Sequence, residues 1–313
     1  MKTYGLIGYP VKHSLSGLMH NAAFKELKIE AQYRLFEVNP EDLEDFLLRD
    51  KEIRDSKGEY FSMRDLSGFN ITIPYKVRAK EILEKEFPLD DKEGLNQEAA
   101  YYVKLSGAIN TVKREDNGLR YFNTDTTGFL KSLEQDLKFY PQGKSIMLIG
   151  CGGAGRAIIA ALSWINDGAK KIYVDEINIE TAESAKRHFL GLPQARHLER
   201  ILELIDHEES ARKILHCQLL VNASPLGMKE GDPSVIKKEL LHKDLFVYDV
   251  VYNRETQLVK DAKEAAGPLR AVGGLGMLLY QGVAAFELWT GRKAPVELMR
   301  RALEEGLKEC RKK

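Results

Sequence analysis

The chemistry in this chain is densest around a run of glycines, Gly150-Cys151-Gly152-Gly153-Ala154-Gly155. It follows the apolar stretch SIMLI and precedes the helical stretch AIIAALSWI. Glycines at this spacing permit a tight turn that brings backbone N–H groups against a pyrophosphate at a helix amino terminus, where the helix dipole favours anions. The pattern alone is common, but here it has the preceding strand and following helix that a dinucleotide site requires. A tight turn without a ligand is the other reading of the same residues. About 20 residues further on, where such folds hold the adenosine ribose, stand Asp175 and Glu176. A carboxylate there accepts from ribose hydroxyls and repels a 2′-phosphate, and the next cationic side chain is Lys186. NAD is therefore the expected cofactor, with NADP less favoured.

The elements that must present this loop read as alternating strands and helices. β-branched or apolar runs at 146–149, 171–174, 218–221 and 246–251 are separated by helical stretches such as 157–164 and 180–189. That rhythm describes βαβ units and a Rossmann-type, doubly wound parallel sheet. Before it, runs at 4–7, 33–38 and 70–73 mix with helical sequence. Stretches 110–113 and 119–122 flank Asn117-Gly118, a strong hairpin signal. Tyr140-Pro141-Gln142-Gly143 marks the entry to the second half, and 87–98 is polar enough for a longer loop. The expected architecture is α/β in two lobes with the active site in the cleft: residues 1–124 plus 275–313 for substrate, and 125–274 for the dinucleotide.

Composition narrows the partners. The chain has 313 residues, enough for about two domains. It balances 47 basic against 47 acidic side chains, with 43% hydrophobic residues. No charge run suits a nucleic acid or a membrane surface, so a small-molecule substrate is expected. Cys151, Cys217 and Cys310 are far apart and form no CxxC pair, which excludes a disulfide framework and a zinc site of that type. The five histidines from His188 to His242 follow no metal spacing, and no metal is expected. With no apolar run near 18 residues and no signal-like amino terminus, the cytoplasm is the expected location, as a monomer or homodimer.

A series of small motifs then carries a resemblance over nearly the whole chain. They are Gly8-Tyr9-Pro10-Val11-Lys12-His13-Ser14-Leu15-Ser16 with His20-Asn21, Asn70-Ile71-Thr72-Ile73-Pro74-Tyr75-Lys76, Gly107-Ala108-Ile109-Asn110-Thr111, and Asn123-Thr124-Asp125. After the glycine loop come Asn222-Ala223-Ser224-Pro225-Leu226-Gly227-Met228, Asp249-Val250-Val251-Tyr252, and Gly276-Met277-Leu278 with Gln281. In this order they resemble the shikimate dehydrogenase family, including its quinate-using members.

The resemblance implies hydride transfer between nicotinamide C4 and a hydroxyl-bearing ring carbon, interconverting shikimate and 3-dehydroshikimate, with quinate as a second substrate. It makes Lys76 and Asp125 the proton-transfer pair. A lysine in water titrates near about 10.4, so position and environment must suit it to proton exchange. By the same resemblance Ser14 and Ser16 bind the carboxylate with Tyr252 in support, and Thr72, Asn110 and Gln281 hold the ring hydroxyls. Gly150, Gly152, Gly153, Ala154, Gly155, Asp175, Asn222, Ser224, Gly274 and Met277 would line the cofactor.

The chain also departs from the family pattern, with Gly17 in place of proline, Thr126-Thr127-Gly128 after the aspartate, Asn253-Arg254-Glu255 after Tyr252, and Asp175-Glu176-Ile177 in place of Asn-Arg-Thr. Two other readings stay open: a dehydrogenase of another shikimate-like ring acid, such as an amino-shikimate, and a non-catalytic dinucleotide-sensing protein on the same fold.

Overall fold

Alternation of apolar strand and amphipathic helix organises the chain into two units, Met1–Thr124 with Leu279–Lys313, and Asp125–Leu278. The return point lies at 278/279, where the sequence places it at 274/275. The computed structural model describes residues 1–89, 97–116, 118–163 and 168–310. The central part of the polar stretch 87–98, Asn117 of the hairpin turn, and Trp164 at the end of the helical stretch 157–164 lie outside the described residues.

The first unit is built on β1 (Lys2–Gly8), β2 (Ala31–Glu37), β5 (Leu66–Ile71), β6 (Thr111–Glu115) and β7 (Gly118–Phe122), with a short antiparallel pair β3 (Ile53–Arg54) and β4 (Tyr60–Phe61). The sheet order is β2-β1-β5-β6-β7, parallel over the first three and antiparallel over the last three. The expected hairpin is β6–β7, closing with Glu115 opposite Gly118. Helices α1 (Ser16–Glu26), α2 (Leu43–Leu48), α3 (Lys76–Glu86) and α4 (Gln97–Ser106) accompany it.

Asp125–Leu278 carries β8 (Ser145–Ile149), β9 (Lys171–Asp175), β10 (Leu202–Ile205), β11 (Leu219–Asn222), β12 (Phe246–Asp249) and β13 (Ala271–Gly273). All pair in parallel in the order β10-β9-β8-β11-β12-β13, the doubly wound order with its reversal between β8 and β11. Helices α5 (Thr124–Gln135), α6 (Gly153–Leu162), α7 (Ile179–Leu190), α8 (Leu198–Ile201), α9 (His207–Lys213) and α10 (Gln257–Ala266) accompany the strands. Ile146, Met147 and Leu148 of β8 are wholly buried, as expected for a parallel strand covered on both faces. The chain ends in α11 (Leu275–Thr290) and α12 (Val296–Cys310). Among the described residues no helix is long and apolar enough to cross a membrane.

The far half of α11 completes the core of the first unit. Trp289 stacks on Tyr4 at 5.0 Å between ring centroids, and its indole N–H donates to the Val112 carbonyl at 2.9 Å. In the same aromatic cluster lies His20, fully buried and stacked on Tyr33 at 4.5 Å. Neither of its ring nitrogens has a hydrogen-bond partner among the described residues. Burial lowers its pKa from 6.5 to about 3.

The sign of the resulting pH dependence follows from this direction. Between those two values the unfolded chain holds a proton on His20 that the folded chain refuses. Stability is retained above the unfolded value and falls as pH drops through the window. Urea unfolding at about pH 6, 5 and 4 should show wild type losing up to about 1.4 kcal/mol more per pH unit than His20→Leu. Equal slopes would mean that His20 takes up its proton without unfolding.

Candidate active site

In the first unit, the polar residues singled out by sequence gather where β1 and β5 end and β6 begins. The loop after β1 and the loop after β5 are joined by a hydrogen bond from Tyr9 N–H to the Ile73 carbonyl at 3.1 Å, and each loop carries a cis proline, Pro10 and Pro74. Ser14 and Ser16 lie on the first loop and at the start of α1. The Ser14 hydroxyl donates to Ser16 Oγ at 3.2 Å and accepts from the Ser16 N–H at 3.3 Å. Thr72 follows β5, half-buried, and Lys76 opens α3. The Lys76 carbonyl accepts from Ile109 N–H at 3.0 Å, which ties the start of α3 to the segment carrying Asn110.

Asn110 is the hub of this group. Its Oδ1 accepts from the Thr124 main-chain N–H at 2.7 Å, while its Nδ2 donates to Thr124 Oγ1 at 2.9 Å and to Gln281 Oε1 at 3.4 Å. Because a main-chain N–H can only donate, the orientation of the amide is settled. Thr111 Oγ1 accepts from Asn70 Nδ2 at 2.9 Å, and Asn70 Oδ1 accepts from the Tyr33 hydroxyl at 2.8 Å. Asn70, Asn110, Thr111 and Thr124 are all buried, so an unpaired member would cost about 1–3 kcal/mol and the network resists rearrangement.

Sequence reasoning singled out Asn110 and Gln281 but no role for Asn70, Thr111, Thr124 or Tyr33. The first three sit inside the motifs at 70–76, 107–111 and 123–125, and that placement is their only signal in the sequence. Tyr33 lies outside every motif and only the fold reveals it.

In Asp125–Leu278 the glycine loop behaves as its residue types require. Gly150 has φ +90°, and a Cβ there would lie 2.9 Å from Ser224 N. A Cβ on Gly155 would stand 2.2 Å from the Gly150 carbonyl oxygen, so this glycine lets α6 begin directly against the turn. Gly152 is the N-cap of α6; no side chain caps the helix there, and an added Cβ would meet nothing within 4 Å. The first N–H groups of a helix have no partner within it, so this open start fits a pyrophosphate. Cys151 is fully buried, and burial beside the Glu176 carboxylate pushes its thiol up to about 12, which leaves it an inert packing residue.

The opposite wall is set by Asp249. Its Oδ1 accepts from Asn222 Nδ2 and Val251 N–H, each at 3.0 Å, and its Oδ2 from the Thr256 hydroxyl at 2.6 Å. Burial raises its pKa, and these donors pull it back. Asn222 Oδ1 in turn accepts from the Ser224 N–H at 3.0 Å and its hydroxyl at 2.7 Å. Tyr252 is half-buried two residues past Val250, and Asn253 donates to the Met228 carbonyl at 3.0 Å, so this departure from the family turn joins two loops. Gly274 approaches so closely that a Cβ would lie 2.0 Å from the Val250 carbonyl, and Met277 is buried in the first turn of α11. Asp125 is buried in the first turn of α5. An added Cβ at Gly17 would meet only Tyr33 and Asn21, at 3.9 and 4.0 Å, so a side chain there has room.

The two acids at the end of β9 are both engaged. Asp175 is buried, and its Oδ2 accepts from the Ser210 hydroxyl at 2.7 Å and meets His207 Nδ1 at 3.0 Å. Glu176 accepts from the Cys151 N–H at 2.8 Å and the Asn178 N–H at 2.9 Å, bracing the glycine turn itself.

Comparison with known proteins gives this geometry its context. Residues 6–112 match the shikimate dehydrogenase substrate binding domain, and residues 274–304 match the shikimate 5′-dehydrogenase C-terminal domain. The shikimate dehydrogenase (NADP(+)) of Methanopyrus kandleri is 38% identical over 97% of this chain and 95% of its own length. That of Carboxydothermus hydrogenoformans is also 38% identical, over 96% of each chain. A shikimate dehydrogenase solved in complex with NADP+ is 31% identical, superposes with a TM-score of 0.78, and covers 98% of this chain and 96% of its own. The chain belongs to the shikimate dehydrogenase family.

These relatives overturn the expectation of NAD over NADP, since they are NADP(+) enzymes and the solved one holds NADP+. The physical reason lies in the carboxylates that suggested NAD. Asp175 is turned into hydrogen bonds within its own unit, and Glu176 is committed to main-chain donors of the turn. Residue type at the end of a strand does not tell whether the side chain is available to a ligand.

The cradle makes a direct prediction. Gly150→Ala forces a left-handed φ on alanine and a Cβ against the Ser224 N–H. Affinity for NADPH, read by fluorescence titration, should fall by at least about tenfold while the protein stays folded. Unchanged affinity would show that the turn takes no part in cofactor binding.

Proposed function

We propose that this chain is an NADP-dependent oxidoreductase that interconverts shikimate and 3-dehydroshikimate. What carries the reading is the open, uncapped start of α6 behind Gly150–Gly155 in a chain matched almost end to end by shikimate dehydrogenases (NADP(+)). In this reading Gly150, Gly152, Gly153, Ala154 and Gly155 hold the pyrophosphate by their backbone, Asn222 and Ser224 border it, and Gly274 and Met277 line the nicotinamide. Asp175 contributes from behind, by fixing the end of β9 beside the ribose. NADP, when bound, supplies the hydride acceptor at nicotinamide C4.

The chain's own groups do the rest. Ser14 and Ser16 donate to the substrate carboxylate with Tyr252 in support, and Thr72, Asn110 and Gln281 exchange hydrogen bonds with the ring hydroxyls. As hydride leaves the ring carbon, the hydroxyl on that carbon must lose its proton. The Lys76 amine takes it and becomes an ammonium, held by the Asp125 carboxylate; in reduction the ammonium returns it. Fixing the ring by several neutral groups turns the encounter into a nearly unimolecular transfer.

Initial rates with shikimate and with quinate, each with NADP and with NAD, test the assignment. Shikimate with NADP should give the highest kcat/KM, and no turnover of that pair would overturn the reading. Lys76→Ala should lower kcat by roughly 10²–10⁴-fold with a small change in the KM for shikimate. Retention of kcat would remove Lys76 from the proton transfer.

A further inference from the structure

The start of α11 holds a second polar cluster that the chemistry above does not use. Tyr248 of β12 is wholly buried, and its hydroxyl donates to Ser132 Oγ at 2.7 Å. Ser132, in α5, donates to Asp136 Oδ2 at 2.6 Å. The hydrogens therefore run one way, from phenol to hydroxyl to carboxylate, and end on a group that can only accept. The carboxylate lies directly against the first turn of α11: a Cβ on Gly276 would stand 1.8 Å from Asp136 Oδ2 and 2.2 Å from Ser132 Oγ. The N–H of Met277 turns toward the Tyr248 oxygen.

This arrangement suits a helix start. The amino-terminal turn has N–H groups without partners and the positive end of the dipole, and both favour a carboxylate and a phenol oxygen. Gly276 is what allows so close an approach. Both helices joined here bear groups assigned to the reaction. α5 begins with Asp125 in its first turn and reaches Asp136 just past its last residue, while α11 carries Met277 next to Gly276. The cluster lies entirely within Asp125–Leu278.

We propose that Tyr248, Ser132 and Asp136 are positioning residues for hydride transfer: they lock the first turn of α11 onto α5 and so hold Met277 in register with Asp125. The proposal rests on the dehydrogenase reading above. It differs from a purely structural role because a loosened α11 start misplaces the nicotinamide without weakening the carboxylate-binding serines.

The test uses Tyr248→Phe and, as a smaller change should that variant not fold, Ser132→Ala. The readouts are kcat, KM for each substrate, the primary deuterium isotope effect with NADPH deuterated at C4, and the fluorescence of bound NADPH. Either variant should lower kcat about tenfold and raise the isotope effect, with the KM of the ring substrate within about twofold of wild type. A fall in melting temperature with wild-type kcat, isotope effect and bound-NADPH fluorescence would overturn the proposal.

A second arm probes the close contact. Gly276→Ala should be at least about tenfold impaired, and adding both Ser132→Ala and Asp136→Ala, which removes the two oxygens its Cβ would meet, should bring the triple variant back to the level of the Ser132→Ala, Asp136→Ala pair. Losses that simply add would also overturn it. Bound-NADPH fluorescence needs no ring substrate, so a wild type that fails to turn over shikimate would count against the function and leave the positioning role to be judged by fluorescence.

Discussion

A single buried carboxylate, Asp249, sets the geometry on which the cofactor side of this protein depends. It is wholly inaccessible to water and accepts from three neutral donors, Asn222, the Val251 N–H and Thr256. Each donor belongs to a segment at the carboxyl edge of the parallel sheet. Losing one leaves a buried charge short of a partner, at a cost of about 1–3 kcal/mol or more for a charged group. Asn222 is thereby oriented to hold Ser224, and the Ser224 backbone packs against Gly150. The glycine turn is thus shaped from both sides: by its own φ, and by a wall that Asp249 holds in place.

In the first unit the groups around Asn110 are held in place by neutral side chains and main-chain groups. Asn110, Thr111, Thr124 and Asn70 form a neutral network in which amide orientation is dictated by main-chain groups. A ring acid with several hydroxyls requires donors and acceptors in fixed places, and a network of this kind supplies them with little freedom to rearrange. The aromatic cluster around His20 and Trp289 backs it from the apolar side.

Much of this was legible from residue types. The strand–glycine–helix run located the turn, the alternation of β-branched and helical stretches predicted the parallel sheet, and Asn117-Gly118 marked the hairpin now seen as β6–β7. Asn110 and Gln281 were readable from motif order, and they do meet. What sequence could not supply was the direction in which a side chain points. Asp175 and Glu176 looked like ribose ligands excluding a 2′-phosphate, but one is buried against Ser210 and His207 and the other braces the glycine turn. Tyr33, Ser132, Asp136 and Tyr248 matter through partners distant in sequence, and no local spacing announces such pairs.

In the proposed reaction one ring hydrogen of shikimate leaves as hydride to the cofactor without exchanging with solvent. Shikimate carrying deuterium on the carbon that bears the oxidised hydroxyl, incubated with NADP and this protein, tests it most directly by NMR of the reduced cofactor. Direct hydride transfer places the deuterium at nicotinamide C4, in one configuration, and in amount equal to the 3-dehydroshikimate formed. Deuterium released to solvent, or reduced cofactor without the label, would contradict it.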